Sequence, residues 1–215
     1  MFKIDKVLNI INKENKKFVE PIVTTVSKKQ TPFHVLISCI LSLRTKDQTT
    51  RDASGRLFAV ANSPQEIEKI PDQQLEKLIY PVGFYRVKSK NIKKICKELI
   101  KNYTSRVPNE IDELLKLDGV GRKTANLVVT LGYKKPGICV DTHVHRISNR
   151  WGYVKTKNPL ETEFALRKKL PKKYWLTIND LLVTYGQNIC VPVSPKCSIC
   201  AIETYCPKAG VTKHR

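Results

Sequence analysis

Apolar positions recur along most of this chain with the spacing of α-helices. Phe33, Leu36, Ile37, Ile40, Leu41 and Leu43 fall on one helical stripe. Ile67, Ile70, Leu75, Leu78 and Ile79 predict one or two short helices around Pro71. From Lys88 to Tyr103 the division sharpens. Ile92, Ile95, Cys96, Leu99, Ile100 and Tyr103 form an apolar face, and Lys90, Lys93, Lys94, Lys97 and Lys101 form the opposite one. Asn109 reads as the N-cap of a helix through Leu117, with Glu110, Asp112 and Glu113 in its first turn, where the helix dipole favours anions. Asp118-Gly119-Val120-Gly121 breaks that helix, and Arg122 starts another that runs to Leu131. An apolar segment from Gly137 to Val140 leads to Asp141 and a helix through Arg150. Two more helices are predicted over Leu160–Leu170 and Tyr174–Gln187. From Cys190 the chain is loop-rich, with Pro192, Pro195 and Pro207. The pattern contains no repeat and no convincing strand, so the fold class is all-α.

Length and charge narrow the reading. A chain of 215 residues makes one to two domains. With 41% apolar and 27% charged residues it has globular composition. Against 19 Asp and Glu stand 39 Lys and Arg, a formal charge of +20. Such an excess points to a polyanion, either nucleic acid or an anionic membrane surface; solubility alone is the plain alternative. The basic face after Lys88 is either solvated or borders a phosphate track. The longest apolar stretch, Phe33 to Leu43, is eleven residues and holds His34, Ser38 and Ser42, too short to span a bilayer. Met1-Phe2-Lys3-Ile4-Asp5 has no signal-peptide core, so a cytosolic location, or a nuclear one in a eukaryote, is expected. Seven cysteines in a reducing compartment argue against disulfides, and four of them fall in the last 26 residues, which points to metal.

Four elements carry candidate chemistry. Leu117-Asp118-Gly119-Val120-Gly121-Arg122-Lys123-Thr124-Ala125 joins two helices by a hairpin. Its two glycines allow positive φ, and the amides of Gly119, Val120 and Gly121 at a helix N-terminus suit a phosphate. Backbone contacts of that kind do not read base sequence. Lys123 lies in the first turn of the second helix, where the dipole disfavours positive charge. A neutral lysine amine forms Schiff bases with sugar aldehydes, and the alternative is a second phosphate contact. In Val140-Asp141-Thr142-His143, Asp141 opens a helix as an N-cap. Held beside a substrate sugar, the same carboxylate can stabilise an oxocarbenium ion or take a proton. Finally, Cys190-x6-Cys197-x2-Cys200-x5-Cys206 places four thiols on proline-stiffened loop. Zinc and an iron–sulfur cluster both fit that spacing. Cys39, Cys96 and Cys139 sit in apolar surroundings and read as core thiols.

Gly-Val-Gly-Arg-Lys-Thr-Ala, then Val-Asp-Thr-His with its Asp 18 positions after the Lys, then the four-cysteine run, resembles the endonuclease III family of helix-hairpin-helix DNA glycosylases. The likeness runs from about residue 20 to Cys206. It implies two all-α lobes: a six-helix barrel over about 25–135, with the hairpin near 110–132, and an iron–sulfur domain made of 1–24 and 136–215. DNA would lie across the cleft between them. Cys190, Cys197, Cys200 and Cys206 would ligate a [4Fe–4S] cluster, Lys123 would be the nucleophile and Asp141 the catalytic carboxylate. The activity implied is base excision repair by a monomer, a bifunctional DNA glycosylase and AP lyase. It would remove oxidised pyrimidines of the thymine glycol type from duplex DNA and cleave 3′ to abasic sites. The location implied is the nucleoid of a prokaryote or a eukaryotic nucleus.

Relatives in the superfamily differ at the nucleophile: adenine glycosylases carry Ser there and the thymine-mismatch branch Tyr, so Lys123 argues for the lyase branch. A mismatch-type glycosylase or a non-catalytic hairpin module is the alternative. The chain departs from the family at two positions that insert into DNA. Arg44 stands where Gln is common, and Phe84 where Leu or Ile is common. His143 and Lys196 are further expected DNA contacts, although Lys196 is the sole charge between Cys190 and Cys197 in a loop the family often makes basic.

Overall fold

The computed structural model describes residues 2–19, 22–27 and 31–215. Among these residues it is helical, with no β-strand. In chain order the first helices are α1 (Ile4–Asn15), α2 (Ile22–Ser27), α3 (Pro32–Ser42), α4 (Asp47–Val60), α5 (Pro64–Lys69) and α6 (Asp72–Ile79). They are followed by α7 (Tyr85–Asn102), α8 (Ile111–Leu114), α9 (Arg122–Leu127), α10 (Thr142–Arg150), α11 (Pro159–Lys169) and α12 (Ile178–Asn188).

The chain divides into two compact units. One is the continuous segment Ile22–Lys135; the other joins Met1–Pro21 to Pro136–Arg215. In the continuous unit, fully buried Leu36, Leu41, Leu57, Leu75, Ile92 and Ile95 form the centre of the core. Burying a side chain of that size is worth about 1.5–3 kcal/mol. The second unit packs Leu8 and Ile11 of α1 with Ile147 of α10, Leu166 of α11 and Leu182 and Tyr185 of α12.

The helices follow the apolar pattern with instructive exceptions. α4 was not legible as a helix because small and polar residues carry its buried face: Thr50, Ala53 and Ser54 precede Leu57 and Phe58. Asn109 is not an N-cap. That position belongs to Glu110, which makes no side-chain cap and instead accepts from Lys135 at 2.5 Å. The helix expected to reach Leu117 ends at Leu114. Lys116 and Leu117 bond three residues back, to Glu113 and Leu114, so the last turn tightens before the hairpin. α9 continues to Gly132 as a π-helical turn, Val128–Gly132, rather than as regular α-helix. α12 begins at Ile178, not Tyr174. Trp175 donates its Nε1 to Leu170 O at 3.0 Å, and Lys172–Tyr174 forms a short 3₁₀ helix separated from α12 by a turn.

The basic face of α7 is partly consumed by the fold. Lys93 donates to Glu68 O at 2.5 Å and to Ile70 O, capping the end of α5. Lys94 pairs with Asp118 at 2.9 Å, which ties α7 to the hairpin. Lys90, Lys97 and Lys101 are exposed.

Candidate functional site

In the unit Ile22–Lys135 the hairpin rests on α7. Gly119 has φ 74°, and a Cβ there would come within 2.8 Å of Asn91 Nδ2, so both conformation and space require glycine. Of the two hairpin glycines, only this one needs left-handed backbone. Gly121, expected to share that property, is extended (φ −88°, ψ 172°) and is the N-cap residue of α9. With nothing within 4 Å of its Cβ position, it leaves the start of α9 open. Val120 does not present its amide outward. Its N–H donates to Leu117 O at 3.1 Å and its side chain is buried, so it plugs the hairpin from within. Gly119 and Gly121 are exposed on either side.

Lys123 is the second residue of α9 and is exposed, beside buried Thr124 and Ala125. Its charge lies close to the buried Cys39 thiol of α3. Burial pushes that thiol up to about 12, and Lys123 offsets part of the effect. Lys123 is therefore a solvent-exposed lysine at a helix start, not a core lysine.

Two neighbouring loops of the same unit carry Arg44 and Phe84. Both residues have positive φ, 51° and 59°, unusual for side chains of this size and costing roughly 1–2 kcal/mol each. Phe84 is 62% exposed, and the Arg44 guanidinium lies 5.8 Å from its ring centroid. A Cβ on Gly83 would strike Arg44 O at 2.7 Å, so glycine lets the loops touch. Gly83 N donates to Thr45 Oγ1 at 3.2 Å across the same contact.

Beneath this pair lies a residue the sequence reading missed. Lys88, in the first turns of α7, is only 6% exposed. Its Nζ donates to Leu41 O at 2.8 Å, Leu43 O at 2.5 Å and Thr45 Oγ1 at 3.1 Å. Burial pulls its pKa down to about 8. The signal was present: Lys88, Ile92, Ile95 and Leu99 share one stripe, so this lysine stands on the apolar face.

In the other unit Asp141 is the N-cap of α10, as its position foretold. Its buried carboxylate accepts from His143 N at 2.9 Å and Val144 N at 3.0 Å, both at Oδ1. His143 is half-buried. Arg146 Nη2 lies 3.1 Å from His143 Nδ1; a guanidinium only donates, so Nδ1 accepts and the ring proton resides on Nε2.

Cys190, Cys197, Cys200 and Cys206 line one cavity, with Arg150, Tyr185, Ile202 and half-buried Lys196. Hydrogen bonds reach three of the sulfurs. Arg150 Nη1 is 3.4 Å from Cys190 Sγ, Tyr185 Oη 3.1 Å from Cys200 Sγ, and the Lys208 amide 3.4 Å from Cys206 Sγ. Burial pushes the Cys197 and Cys206 thiols above their ordinary range. Four thiols lining one cavity, with hydrogen bonds reaching three of the sulfurs, suit a metal that binds them as thiolates. The loop is gripped from α10. Arg146 donates to Cys190 O at 2.8 Å and Gly186 O at 3.1 Å, and Arg150 to Val191 O at 2.8 Å and Pro192 O at 2.6 Å. Sequence reasoning gave neither arginine a role. Their signal was a spacing of four on a helix whose cap it had already singled out.

The hairpin, the exposed lysine and the capped aspartate fall within a stretch, residues 37–172, that matches the HhH-GPD superfamily base excision DNA repair protein profile. The chain belongs to that superfamily. Within it the chain is 50% identical over 179 residues to Endonuclease III of Thermotoga maritima, covering 83% of this chain and 84% of that protein. It is 45% identical over 190 residues to the chloroplastic Endonuclease III homolog 2 of Arabidopsis thaliana, of which it spans 49%. The fold matches a trapped covalent intermediate of Endonuclease III with DNA, with a TM-score of 0.85 and 35% identity. That match covers 96% of this chain and 95% of the other. Among the described residues of this superfamily member, no helix is long and apolar enough to cross a membrane.

Proposed function

We propose that this chain is a base excision repair enzyme, a bifunctional DNA glycosylase and AP lyase that removes oxidised pyrimidines of the thymine glycol type from duplex DNA. The observation that carries the reading is Lys123, exposed at the start of α9 behind an open glycine hairpin, in a chain half identical to an Endonuclease III. A protein of this fold has been captured covalently on DNA. We read Ile22–Lys135 as the six-helix barrel carrying the hairpin and the remainder as the iron–sulfur domain. The chain acts as a monomer, in the nucleoid or the nucleus.

The chemistry follows from the residues. Lesions that stack poorly cost less to extrude from the duplex. The Lys123 amine attacks C1′ of the extruded sugar and the base leaves with the bonding electrons. The C1′–O4′ bond of the aminal then breaks, O4′ takes up the proton lost by the amine, and the opened sugar is left as a Schiff base. This acidifies the C2′ proton, and its loss expels the 3′ phosphate, breaking the strand 3′ to the lesion. Water in place of the amine would stop at an abasic site. Asp141, fixed by two capping bonds, stabilises positive charge on the sugar or takes a proton. Gly119 and Gly121 face the phosphates, and His143, through its Nε2–H, and Lys196 are further DNA contacts. Arg44 and Phe84 enter the duplex at the lesion, which their exposure and mutual contact support. The ring stacks in the vacated space. The guanidinium can only donate, which favours an orphaned base rich in acceptors, guanine among them.

Cys190, Cys197, Cys200 and Cys206 would hold a [4Fe–4S] cluster. The four thiols line a common cavity, which supports the reading, although among the described residues no group of three or more His, Cys, Asp or Glu side chains is already drawn together as a metal site. When bound, the cluster would supply strong Fe–S cross-links between four points of the loop.

The test is excision of thymine glycol from a duplex opposite each of the four bases, with the products resolved on a gel. Release of the base with cleavage 3′ to the lesion is expected. Intact strands, or abasic sites left uncleaved, would contradict the lyase reading. Arg44→Gln is expected to change the opposite-base profile; an unchanged profile would remove Arg44 from the DNA.

A further inference from the structure

Lys88 has no part in the chemistry above, yet it is a buried ammonium whose three acceptors are all neutral. An arrangement of that kind costs desolvation that a methionine of similar length would avoid. Two of the acceptors, Leu41 O and Leu43 O, are carbonyls at the C-terminal end of α3, where a cation also meets the favourable end of the helix dipole. The third, Thr45 Oγ1, is the group that accepts from Gly83 N on the opposite loop. One ammonium therefore reaches both sides of Arg44 in the chain, and through Thr45 it reaches the residue preceding Phe84. Both neighbours hold left-handed backbone that relaxes unless surrounding bonds fix it.

We propose that Lys88 is a positioning residue: it locks the loop Leu43–Thr45 against the loop Val82–Phe84, so that Arg44 and Phe84 meet the duplex as one rigid element. The inference rests on the reading that these two side chains enter the DNA. A preset wedge avoids ordering two strained loops at the moment the base leaves the stack, so Lys88 acts on the opening of the duplex and not on the attack at the sugar.

Opening matters only where there is a second strand. The measurement is the single-turnover rate of β-elimination at an abasic site in duplex DNA, divided by the rate for the same strand alone. It is made for the wild type, Lys88→Met, the double variant R44A/F84A and the triple variant. Lys88→Met is expected to lower the duplex to single-strand ratio about tenfold, the effect of roughly one lost hydrogen bond. In the R44A/F84A background, Lys88→Met is expected to lower the ratio no further, because residues that act through one another are not additive. Thr45→Val, on the surface side of the same contact, is expected to lower the ratio about threefold and provides the test should Lys88→Met not fold. Equal falls in both rates, leaving the ratio unchanged, would show that Lys88 only supports the fold. A full effect persisting in the R44A/F84A background would show that it does not act through the pair. If R44A/F84A itself leaves the ratio unchanged, the wedge reading fails and takes this inference with it. If that double variant lowers the ratio while Lys88→Met and Thr45→Val do not, only the role of Lys88 falls.

Discussion

The hairpin around Val120 and the loop from Cys190 to Cys206 both place reactive side chains on short irregular backbone, and they are supported in opposite ways. At the hairpin the functional groups face outward: Gly119, Gly121 and Lys123 are exposed, and buried Val120 provides the anchor. The Lys123 side chain, exposed at the start of α9, is not one of the residues that fill the core. In the cysteine loop the thiols face inward, hydrogen bonds reach three of the sulfurs, and two arginines hold three backbone carbonyls of the loop, those of Cys190, Val191 and Pro192. Chemistry and stability are therefore separable at the hairpin and inseparable at the loop.

The largest effect is expected where they cannot be separated. Cys197→Ser should lose the broad absorbance near ~400 nm of a thiolate-ligated iron–sulfur cluster and unfold about 10 °C lower, since cluster binding is folding free energy. Metal analysis of anaerobically prepared wild type should find iron; one zinc and no iron would overturn the cluster assignment.

Asp141→Asn probes the other side of the comparison from within the cysteine-bearing unit. Excision should fall by about 10²-fold or more while the melting temperature holds, because Asn caps α10 nearly as well as Asp. Excision at the wild-type rate would leave Asp141 as a cap alone. A smaller effect is expected for Arg150→Met. With the Cys190, Val191 and Pro192 contacts gone, a chelator should strip iron several times faster and melting should fall by a few degrees. Unchanged iron retention would mean that the grip from α10 is incidental.

The smallest effect concerns charge. Affinity for duplex DNA should fall steeply with salt as phosphate counterions are released, and a flat dependence would disconnect the +20 charge from DNA. Lys93→Ala should leave that slope unaltered, because its ammonium already caps α5. A slope reduced by about one would place Lys93 on a phosphate instead.

Residues whose type dictates local geometry were legible from sequence. Asp141 was read as a cap and is one; Asp118 to Gly121 was read as a helix break and is one; α7 followed its apolar stripe. Residues whose role depends on partners far along the chain were not. Lys88 reaches carbonyls more than 40 positions away, as do Arg146 and Arg150; periodicity puts Lys88 on the apolar face of α7 but does not name such distant partners. Glycine was over-read at Gly121, where the missing Cβ matters for open space and not for φ. In α4, small residues bury a face that a hydrophobic pattern does not reveal.

The central claim is that the amine of Lys123 forms the covalent bond to DNA. Borohydride reduction in the presence of duplex DNA with an abasic site tests it directly, comparing wild type with Lys123→Gln. The wild type should give a covalent protein–DNA complex stable to denaturing electrophoresis. Lys123→Gln should give none, with melting temperature and DNA affinity nearly unchanged. A variant that still traps, or still cleaves the strand, would place the nucleophile elsewhere.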